Sequence, residues 1–345
     1  MAAKRKREPA PSASPGAGRT PATRKPRAGT IALVGRPNVG KSTLLNAILG
    51  ERIAIVSHHP QTTRDRIAGI LTTESTRTRP PTQFVFQDTP GLHSARNRLG
   101  KRMNEVATGT AEDCDVIVLV VDVSAAANAE IRPEDTKVLA QLAKDGSETP
   151  ILLVINKIDR VTEKAKLIDV LAAFGGMHDF AAVVPLSAKK RDGVDRLLDE
   201  IAKLLPEQDF LFPEDELSDK PVRFFVAEMV REQVLMRTRE EVPHGVAVTI
   251  DAYEEPNPKR KTSKAVTRIK LTVHVAKDSH KGIIIGAGGK MLVAIGTAAR
   301  QRAERLIGGQ VHLDIKVKAT PNWFDDDARL LDLGYGEAKA KRATA

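Results

Sequence analysis

Short apolar runs alternate with longer mixed segments between residues 29 and 206 of the 345-residue chain. The runs are IALV from Ile31, QFVFQ from Gln83, VIVLVVD from Val116, ILLVIN from Ile151 and AVVPLS from Ala182. Runs that are apolar on both faces, separated by segments long enough for crossover helices, predict a mostly parallel sheet covered by helices on both sides. Such sheets bind ligands at the carboxyl ends of their strands, so the candidate chemistry is expected there.

A different pattern follows the acidic, proline-containing stretch 207–220, which is typical of a linker. Apolar residues repeat at helical spacing from Pro221 to about Arg237 and predict an amphipathic helix. GVAVTIDAY and TRIKLTVHV then alternate apolar and polar residues, as half-buried antiparallel strands do. A glycine-broken apolar helix and the alternating strand VHLDIKVK follow. The pattern therefore predicts an α/β domain at 29–206 and a smaller α+β domain at 221–320, between tails at 1–28 and 321–345.

The formal net charge of +10 favours polyanionic partners such as RNA, DNA or an anionic membrane surface. Part of that charge lies in residues 1–28, whose Pro, Ser, Gly and basic residues are typical of a disordered tail. The lone cysteine, Cys114, excludes an internal disulfide and is expected to be a buried, inert thiol. This favours a reducing, cytoplasmic setting. No apolar run approaches the length of a membrane span.

The stretch GRPNVGKST follows the first apolar run and satisfies the phosphate-loop pattern G-x-x-x-x-G-K-[ST]. Its small glycines let backbone N–H groups wrap a phosphate, and the helix predicted to begin near Lys41 adds its positive end. Lys41 is expected to reach the outer phosphates and Ser42 to ligate Mg²⁺. The candidate nucleotide-binding residues of this loop are Gly35, Arg36, Pro37, Asn38, Val39, Gly40, Lys41, Ser42 and Thr43.

Motifs at the ends of three later strands extend this site and select the base. The carboxylate of Asp159 can accept hydrogen bonds from the N1–H and N2–H₂ groups of guanine, whereas adenine would oppose it with an acceptor. Asp88 is placed to hold Mg²⁺ through water, and the Gly91 N–H to sense the terminal phosphate. The candidate residues are Asp88, Thr89, Pro90, Gly91 and Leu92; Asn156, Lys157, Ile158 and Asp159; and Ser187, Ala188 and Lys189, which would back the guanine.

A candidate switch segment lies between the phosphate loop and the strand QFVFQ. It comprises Gln61, Thr62, Thr63, Arg64 and Asp65. Either Thr63 or Thr62 could complete the Mg²⁺ shell, and Thr63 is favoured. GTP is expected to order this segment and the one around Gly91, which would change how the two domains meet.

These motifs, in this order and followed by a helix-strand-strand-helix-loop-helix pattern, resemble the Era family of bacterial GTPases. The resemblance covers about Thr30 to Ala319 and implies a P-loop GTPase domain followed by a type II KH domain. Its GxxG loop would be Gly286, Ala287, Gly288 and Gly289, where single-stranded RNA approaches the backbone, with Lys281 and Lys290 beside it. Arg300, Lys316 and Lys318 could supply further phosphate contacts. The alternatives are that the glycine loop is an ordinary helix cap and that these basic residues are ordinary solvated charges.

The resemblance also implies a function. A member of this family would bind the 3′ end of small-subunit (16S) ribosomal RNA in a GTP-dependent way and assist 30S subunit assembly. We expect a monomer, with peripheral membrane contact in some settings. Leu92 stands where many relatives carry the glutamine that orients water, and the resemblance implies a K⁺ ion held by Asn38 in its place. The alternative is that Asn38 only stabilises its loop.

Two other functions remain open at this stage. One is a membrane or cell-cycle signalling GTPase whose terminal domain binds protein rather than RNA. The other is an RNA-binding protein with an inactive nucleotide pocket, which the intact Lys41, Ser42, Asp88 and Asp159 oppose. An assembly factor with two GTPase domains is excluded because the sequence carries one phosphate loop. The stretches 72–83 and 254–265 are expected to be extended loops.

Overall fold

A computed structural model describes residues 2–4, 24–57, 59, 62–91, 97–123, 132–143, 148–161, 164–256 and 265–335. Its strands are β1 (Ala2–Lys4), β2 (Arg27–Val34), β3 (Ile67–Thr73), β4 (Thr82–Asp88), β5 (Val116–Asp122), β6 (Ile151–Asn156), β7 (Ala182–Pro185), β8 (Glu216–Pro221), β9 (Val246–Glu254), β10 (Val266–Val275) and β11 (Gln310–Ala319). Its α-helices are α1 (Lys41–Leu49), α2 (Arg98–Glu112), α3 (Pro133–Ala143), α4 (Lys164–Gly175), α5 (Val194–Leu204), α6 (Val222–Arg237), α7 (Asp278–Ile285), α8 (Lys290–Ile307) and α9 (Asp327–Asp332).

The larger sheet has the strand order β1-β8-β3-β4-β2-β5-β6-β7. Its core, β4-β2-β5-β6-β7, is parallel, which confirms the predicted doubly covered α/β sheet. Helix α1 packs on one face of the sheet and α2 on the other, in two separate apolar clusters. The phosphate loop (35–43) and the stretches DTPG (88–91), NKID (156–159) and SAK (187–189) each lie at or just beyond the carboxyl end of one of these parallel strands.

Strand β3 was not among the predicted strands, and it runs antiparallel to β4. The pairing joins Ile67 to Asp88 at one end and Thr73 to Thr82 at the other, so the intervening loop closes a hairpin. Because Asp88 pairs with the first residue of β3, the hairpin carries the switch segment directly to the carboxyl end of β4.

The stretch predicted as a linker, 207–220, contains a strand in its second half, which corrects that interpretation. Strand β8 adds to the sheet edge next to β3, and Ser218 is fully buried there. Asp219 accepts a 3.2 Å hydrogen bond from the N–H of Ala68 in β3. The acidic composition hid this strand because its bonds are made by backbone and polar side chains rather than by an alternating apolar face.

The predicted disordered tail also contributes to this edge. Within 1–28, Ala2–Lys4 pairs antiparallel with β8, and β2 already begins at Arg27. Residues 5–23 lie outside the described residues. Cys114 is buried as expected, and burial raises the pKa of its thiol to about 11.

The smaller sheet, β11-β10-β9, pairs β10 antiparallel with β9 and parallel with β11, which confirms the predicted α+β unit. Helices α7 and α8 form the crossover between the two parallel strands. The buried face of β10 carries Ile269, Leu271, Val273 and Val275. Among the described helices, none alone has the length and apolarity of a membrane span, whereas α7 and α8, bent by 46°, pass that test together.

The stretch 321–345 is not simply a tail, which corrects the sequence prediction. Trp323–Asp325 forms a 3-10 turn and α9 follows it. Trp323 is fully buried beside Leu99 and Met103 of α2 and donates a 3.0 Å hydrogen bond from its indole N–H to Gly245 O. Residues 336–345 lie outside the described residues.

Candidate nucleotide site

At two positions, the loop between β2 and α1 has a backbone conformation that favours glycine. Gly35 has φ 149° and Gly40 φ 106°. A Cβ atom at Gly35 would lie 2.3 Å from Val120 O, and one at Gly40 would lie 2.3 Å from the side-chain nitrogen of Asn156. The loop therefore runs against the ends of β5 and β6 and leads its N–H groups into the start of α1, as a phosphate cradle requires.

Lys41 lies across this loop. Its ammonium donates hydrogen bonds of 2.8 Å to Gly35 O and 3.1 Å to Arg36 O, and the side chain is buried. Burial lowers the pKa of Lys41 to about 8, although the nearby carboxylate of Asp88 opposes that shift. A phosphate group would supply the negative charge that such a buried ammonium lacks.

Ser42, Thr63 and Asp88, the three predicted Mg²⁺ ligands, meet at one point. Asp88 Oδ2 accepts hydrogen bonds of 2.9 Å from Ser42 and 3.1 Å from Thr63, and the two hydroxyl oxygens are 3.0 Å apart. Thr62 instead donates its hydroxyl to His59 O at 2.7 Å, so the geometry favours Thr63 over Thr62.

The carboxyl group of Asp88 is fully buried, and burial raises its pKa. Its second oxygen, Oδ1, has no hydrogen-bond partner among the described residues. An unpartnered buried carboxylate oxygen beside two hydroxyl groups is the hard oxygen donor set that Mg²⁺ prefers, so the residues present fit that ion. The next loop residue, Thr89, is anchored to Leu33 O by a 2.8 Å hydrogen bond, and Gly91 lies against Pro37 of the phosphate loop.

The base end of the site is formed by the NKID and SAK stretches. Asp159 Oδ1 accepts a 2.6 Å hydrogen bond from Ser187, and this bond lowers the pKa of the carboxyl group. Asp159 therefore stays a carboxylate near neutral pH, the form that accepts hydrogen bonds from N–H donors. Ala188 is buried behind it and Lys189 is exposed.

Asn156 links three motifs through one side chain. Its amide nitrogen donates to Val39 O at 2.9 Å, and its oxygen accepts from the N–H groups of Lys157 at 2.7 Å and Ala188 at 3.0 Å. Asn156 thus braces the phosphate loop against the NKID and SAK stretches.

Two acidic residues outside the predicted motifs complete this framework. Lys157 bonds Asp122 Oδ2 at 2.5 Å and Asn38 O at 2.7 Å. Arg36 makes a two-pronged pair with buried Asp135 of α3, at 2.6 and 3.1 Å. Asp122, as the last residue of an apolar strand, carried a readable signal, whereas Asp135 lies on a helix far along the chain and carried none.

In the predicted switch segment, Thr63 and the two residues after it contact different parts of the protein. Thr63 faces Ser42 and Asp88, whereas Arg64 points into the smaller domain and donates to Val246 O at 2.5 Å. Asp65 pairs with Lys220 of β8 at 3.0 Å. Gln61 and Leu92 lie outside the described residues, as do parts of the predicted loop 254–265.

The candidate RNA loop joins α7 to α8. Gly286, Gly288 and Gly289 have φ of 70°, 58° and 77°. A Cβ atom at Gly288 or Gly289 would meet nothing within 4 Å, so the backbone there is open to a partner. Lys281 and Lys290 flank it, and the apolar side chains of Ile283 and Val293 are 49% and 69% exposed nearby.

Three further basic residues are not gathered at this loop. Lys316 and Lys318 alternate with the residues of β11 that face α8, so they lie on the opposite face of the sheet. Arg300 is paired with Glu304 on its own helix at 2.7 Å.

Comparison with known proteins decides the family. A family model described as a 50S ribosome-binding GTPase matches residues 30–157, and one described as a KH domain matches residues 241–324. GTPase Era of Trichlorobacter lovleyi is 43% identical over 309 residues, which cover 90% of this chain and 98% of that protein. The chain belongs to the Era family of GTPases. GTPase Era of Syntrophus aciditrophicus is 41% identical over 311 residues, covering 90% and 96% of the two chains.

Solved Era structures share this fold. An Era variant of Aquifex aeolicus bound to GDP·AlF4⁻ is 36% identical and covers 90% of this chain and 100% of that one, with a TM-score of 0.82. Era in complex with MgGDPNP and nucleotides 1506–1542 of 16S ribosomal RNA gives the same identity and TM-score, with 90% and 99% coverage. As an Era family member, the chain is a GTPase with a P-loop domain followed by a KH domain.

Proposed function

We propose that this Era family GTPase binds the 3′ end of 16S ribosomal RNA and assists 30S subunit assembly, under the control of its nucleotide. The observation that carries the proposal is the open glycine loop at Gly286–Gly289, on a KH fold whose Era relative is seen with nucleotides 1506–1542 of 16S ribosomal RNA. A signalling GTPase whose terminal domain binds protein is not favoured, because a KH-domain family model matches residues 241–324.

On the nucleotide side, we assign residues 35–43 to the phosphates, Asp159 and residues 187–189 to the guanine, and Ser42, Thr63 and Asp88 to Mg²⁺. A bound Mg²⁺ would neutralise charge developing on the phosphates. The residues themselves prepare the site: Lys41 brings a buried ammonium to the outer phosphates, and Asn156 braces the loop to the base end.

A K⁺ ion at Asn38 is part of the same proposal. Asn38 is an exposed residue with φ 64°, and its carbonyl oxygen is held by Lys157. Phosphate release should be faster in K⁺ than in Na⁺ at equal ionic strength, and Asn38→Gly, which keeps the backbone conformation, should remove the difference. An equal response in both proteins would assign Asn38 to loop stability alone.

On the RNA side, the backbone of Gly288 and Gly289 would approach a phosphodiester chain, with Lys281 and Lys290 as nearby cations. Aromatic residues form only 3% of the chain, so base recognition would rest on apolar contacts such as Ile283 and Val293. The ribosomal partner and the lone buried cysteine support a cytoplasmic location. Peripheral membrane contact and a monomeric state stay predictions.

The test is crosslinking of the GTP-bound protein in cells, followed by sequencing of the recovered RNA. We expect enrichment of the 16S 3′ end in the wild type, its loss in Gly288→Asp, and its retention in Gly288→Asn. Both side chains tolerate a positive φ and have nearly the same shape, so the pair isolates repulsion between carboxylate and phosphate. Recovery of scattered messenger RNAs, without the 16S 3′ end, would contradict the proposal.

A further inference from the structure

Two consecutive residues of the switch segment face opposite parts of the protein. The hydroxyl of Thr63 lies beside Ser42 and Asp88, the other proposed Mg²⁺ ligands, and is 3.1 Å from Asp88 Oδ2. The next side chain, Arg64, turns away and is buried in the KH domain, with 5% of its surface exposed. Because one planar peptide unit joins the two residues and holds their Cα atoms about 3.8 Å apart, a shift of that unit moves both of them.

Arg64 occupies a site made by two separate parts of the C-terminal half. Its guanidinium donates to the carbonyl oxygens of Val246 at 2.5 Å, His244 at 3.1 Å and Pro243 at 3.3 Å. The guanidinium carbon also lies 5.6 Å from the ring centroid of Trp323 and 5.8 Å from that of Tyr335. Three carbonyl oxygens, the Tyr335 hydroxyl at 3.5 Å and two aromatic faces therefore surround its charge.

The residue on the other side of Thr63 is held as well. Arg231 of α6 donates a 2.5 Å hydrogen bond to Thr62 O, and Glu228 fixes the guanidinium of Arg231 through bonds of 2.7 and 2.6 Å. Arg231 is 1% exposed. The two neighbours of Thr63 are therefore both held by the C-terminal half of the chain.

The aromatic residues around Arg64 belong to a segment that also contacts helix α2. The rings of Trp323 and Tyr335 stack at 5.5 Å. Tyr335 O accepts a 2.9 Å hydrogen bond from Arg102 of α2, and Asp325 accepts a 3.1 Å bond from the N–H of Arg98. Helix α2 begins a few residues after Gly91, so the segment Trp323–Tyr335 contacts both Arg64 of the switch segment and the helix that follows Gly91.

We propose that Arg64, seated between Trp323, Tyr335 and the carbonyl groups at 243–246, is the positioning residue through which the nucleotide state and the packing of the C-terminal segment control each other. We call this arrangement the Arg64 clasp. Thr63 stands beside Asp88 while Arg64 is seated among Trp323, Tyr335 and these carbonyl groups, so Mg²⁺ and the terminal phosphate, by holding Thr63, would favour the seated Arg64, and their loss would let Arg64 move. Conversely, an intact clasp holds Thr63 where it can serve the ion. The inference rests on the proposed GTP site and goes beyond RNA binding, which it does not require.

The chain contains its own reporter, because Trp323 is its single tryptophan. We expect its fluorescence emission to shift when GDP is replaced by a non-hydrolysable GTP analogue with Mg²⁺. Arg64→Lys keeps the positive charge but loses the planar, multi-donor group, so the shift should be lost. Arg66→Lys is the matched control, since Arg66 is an exposed arginine two residues away, and its shift should equal that of the wild type.

Turnover provides the second readout. Arg64→Lys should lower kcat several-fold and leave the KM for GTP within about twofold, because the phosphate loop and Asp159 are untouched. Tyr335→Ala removes one aromatic wall of the Arg64 site and should reproduce both effects. This second variant serves as the test if circular dichroism shows that Arg64→Lys does not fold.

Two results would overturn the clasp: identical Trp323 emission with GDP and the GTP analogue in the wild type, or a full shift in both Arg64→Lys and Tyr335→Ala. A fluorescent guanine nucleotide establishes occupancy in each case. Loss of RNA binding with an intact Trp323 shift would contradict the proposed function and leave the clasp standing.

Discussion

Ser42 at the start of α1 donates its hydroxyl to Asp88 Oδ2 at the end of β4, at 2.9 Å, while Asp88 Oδ1 is buried without a hydrogen-bond partner among the described residues. We expect Asp88→Asn to keep the bond geometry but remove the charge. GTP hydrolysis at 1 equivalent of Mg²⁺ should then fall by about 100-fold, because a metal ion typically supplies several kcal/mol of charge stabilisation.

Steady-state phosphate release across a Mg²⁺ titration measures this effect. Affinity for GDP without Mg²⁺ should change little in Asp88→Asn. Asp209→Asn, an exposed carboxylate in the segment after α5, serves as the control and should match the wild type. Wild-type Mg²⁺ dependence in Asp88→Asn would refute the assigned ligand set.

Asp159 is predicted to select guanine by accepting two hydrogen bonds. In Asp159→Asn the amide nitrogen would oppose the guanine amino group but could donate to the carbonyl oxygen that xanthine carries at that position. Two lost charge-assisted bonds of about 1.5–3 kcal/mol each correspond to a loss of at least about 100-fold in GTP affinity. Competition between GTP and XTP measures the change, and a variant that still prefers GTP would contradict the assignment.

Lys41 should make GTP binding weaken at high pH. Without nucleotide its pKa is about 8, and a phosphate against the ammonium raises that pKa. Binding above pH 8 therefore requires uptake of a proton, and the Kd for GTP should rise by up to about tenfold per pH unit there. Below pH 7 the residue is already protonated and contributes no such dependence.

Calorimetry in two buffers of different ionisation enthalpy counts the protons taken up. Lys41→Arg, whose guanidinium stays charged throughout, should bind more weakly but without this dependence above pH 8. A flat wild-type profile between pH 8 and 9 would show that Lys41 is fully protonated in the free protein.

Glu232 of α6 is fully buried and joins the two domains. It pairs with Arg52 at 2.7 Å, accepts from the N–H of Val56 at 3.3 Å and pairs with Arg302 of α8. Glu232→Gln removes the buried carboxylate that pairs with the half-exposed Arg52 and the largely covered Arg302, so the free energy of unfolding should fall by about 3 kcal/mol.

Urea unfolding followed by circular dichroism checks this value. Glu200→Gln, which breaks the largely exposed pair with Lys203, should change stability by less than about 1 kcal/mol. An unchanged midpoint in Glu232→Gln would mean that the contact is not present in solution.

The nucleotide motifs could be predicted because each is short and contiguous. Each motif holds its functional groups within a few consecutive residues, as in GRPNVGKST, DTPG, NKID and SAK. The apolar runs before them place all four at one edge of a parallel sheet. The alternation in β9, β10 and β11 likewise predicted the smaller sheet, since a strand with one buried face shows a period of two.

Only the tertiary structure decided which distant residues meet. Local composition predicts a linker at β8 and a tail at Trp323–Tyr335, because the stability of both segments comes from partners far along the chain rather than from local periodicity. Asp135 carried no local signal, and the switch segment that includes Arg64 gave no sign of its partners, for the same reason: their contacts lie 99 and about 180 positions away. The sequence by itself determined the nucleotide chemistry, whereas the way the switch segment engages the KH domain depends on long-range packing that no short motif records.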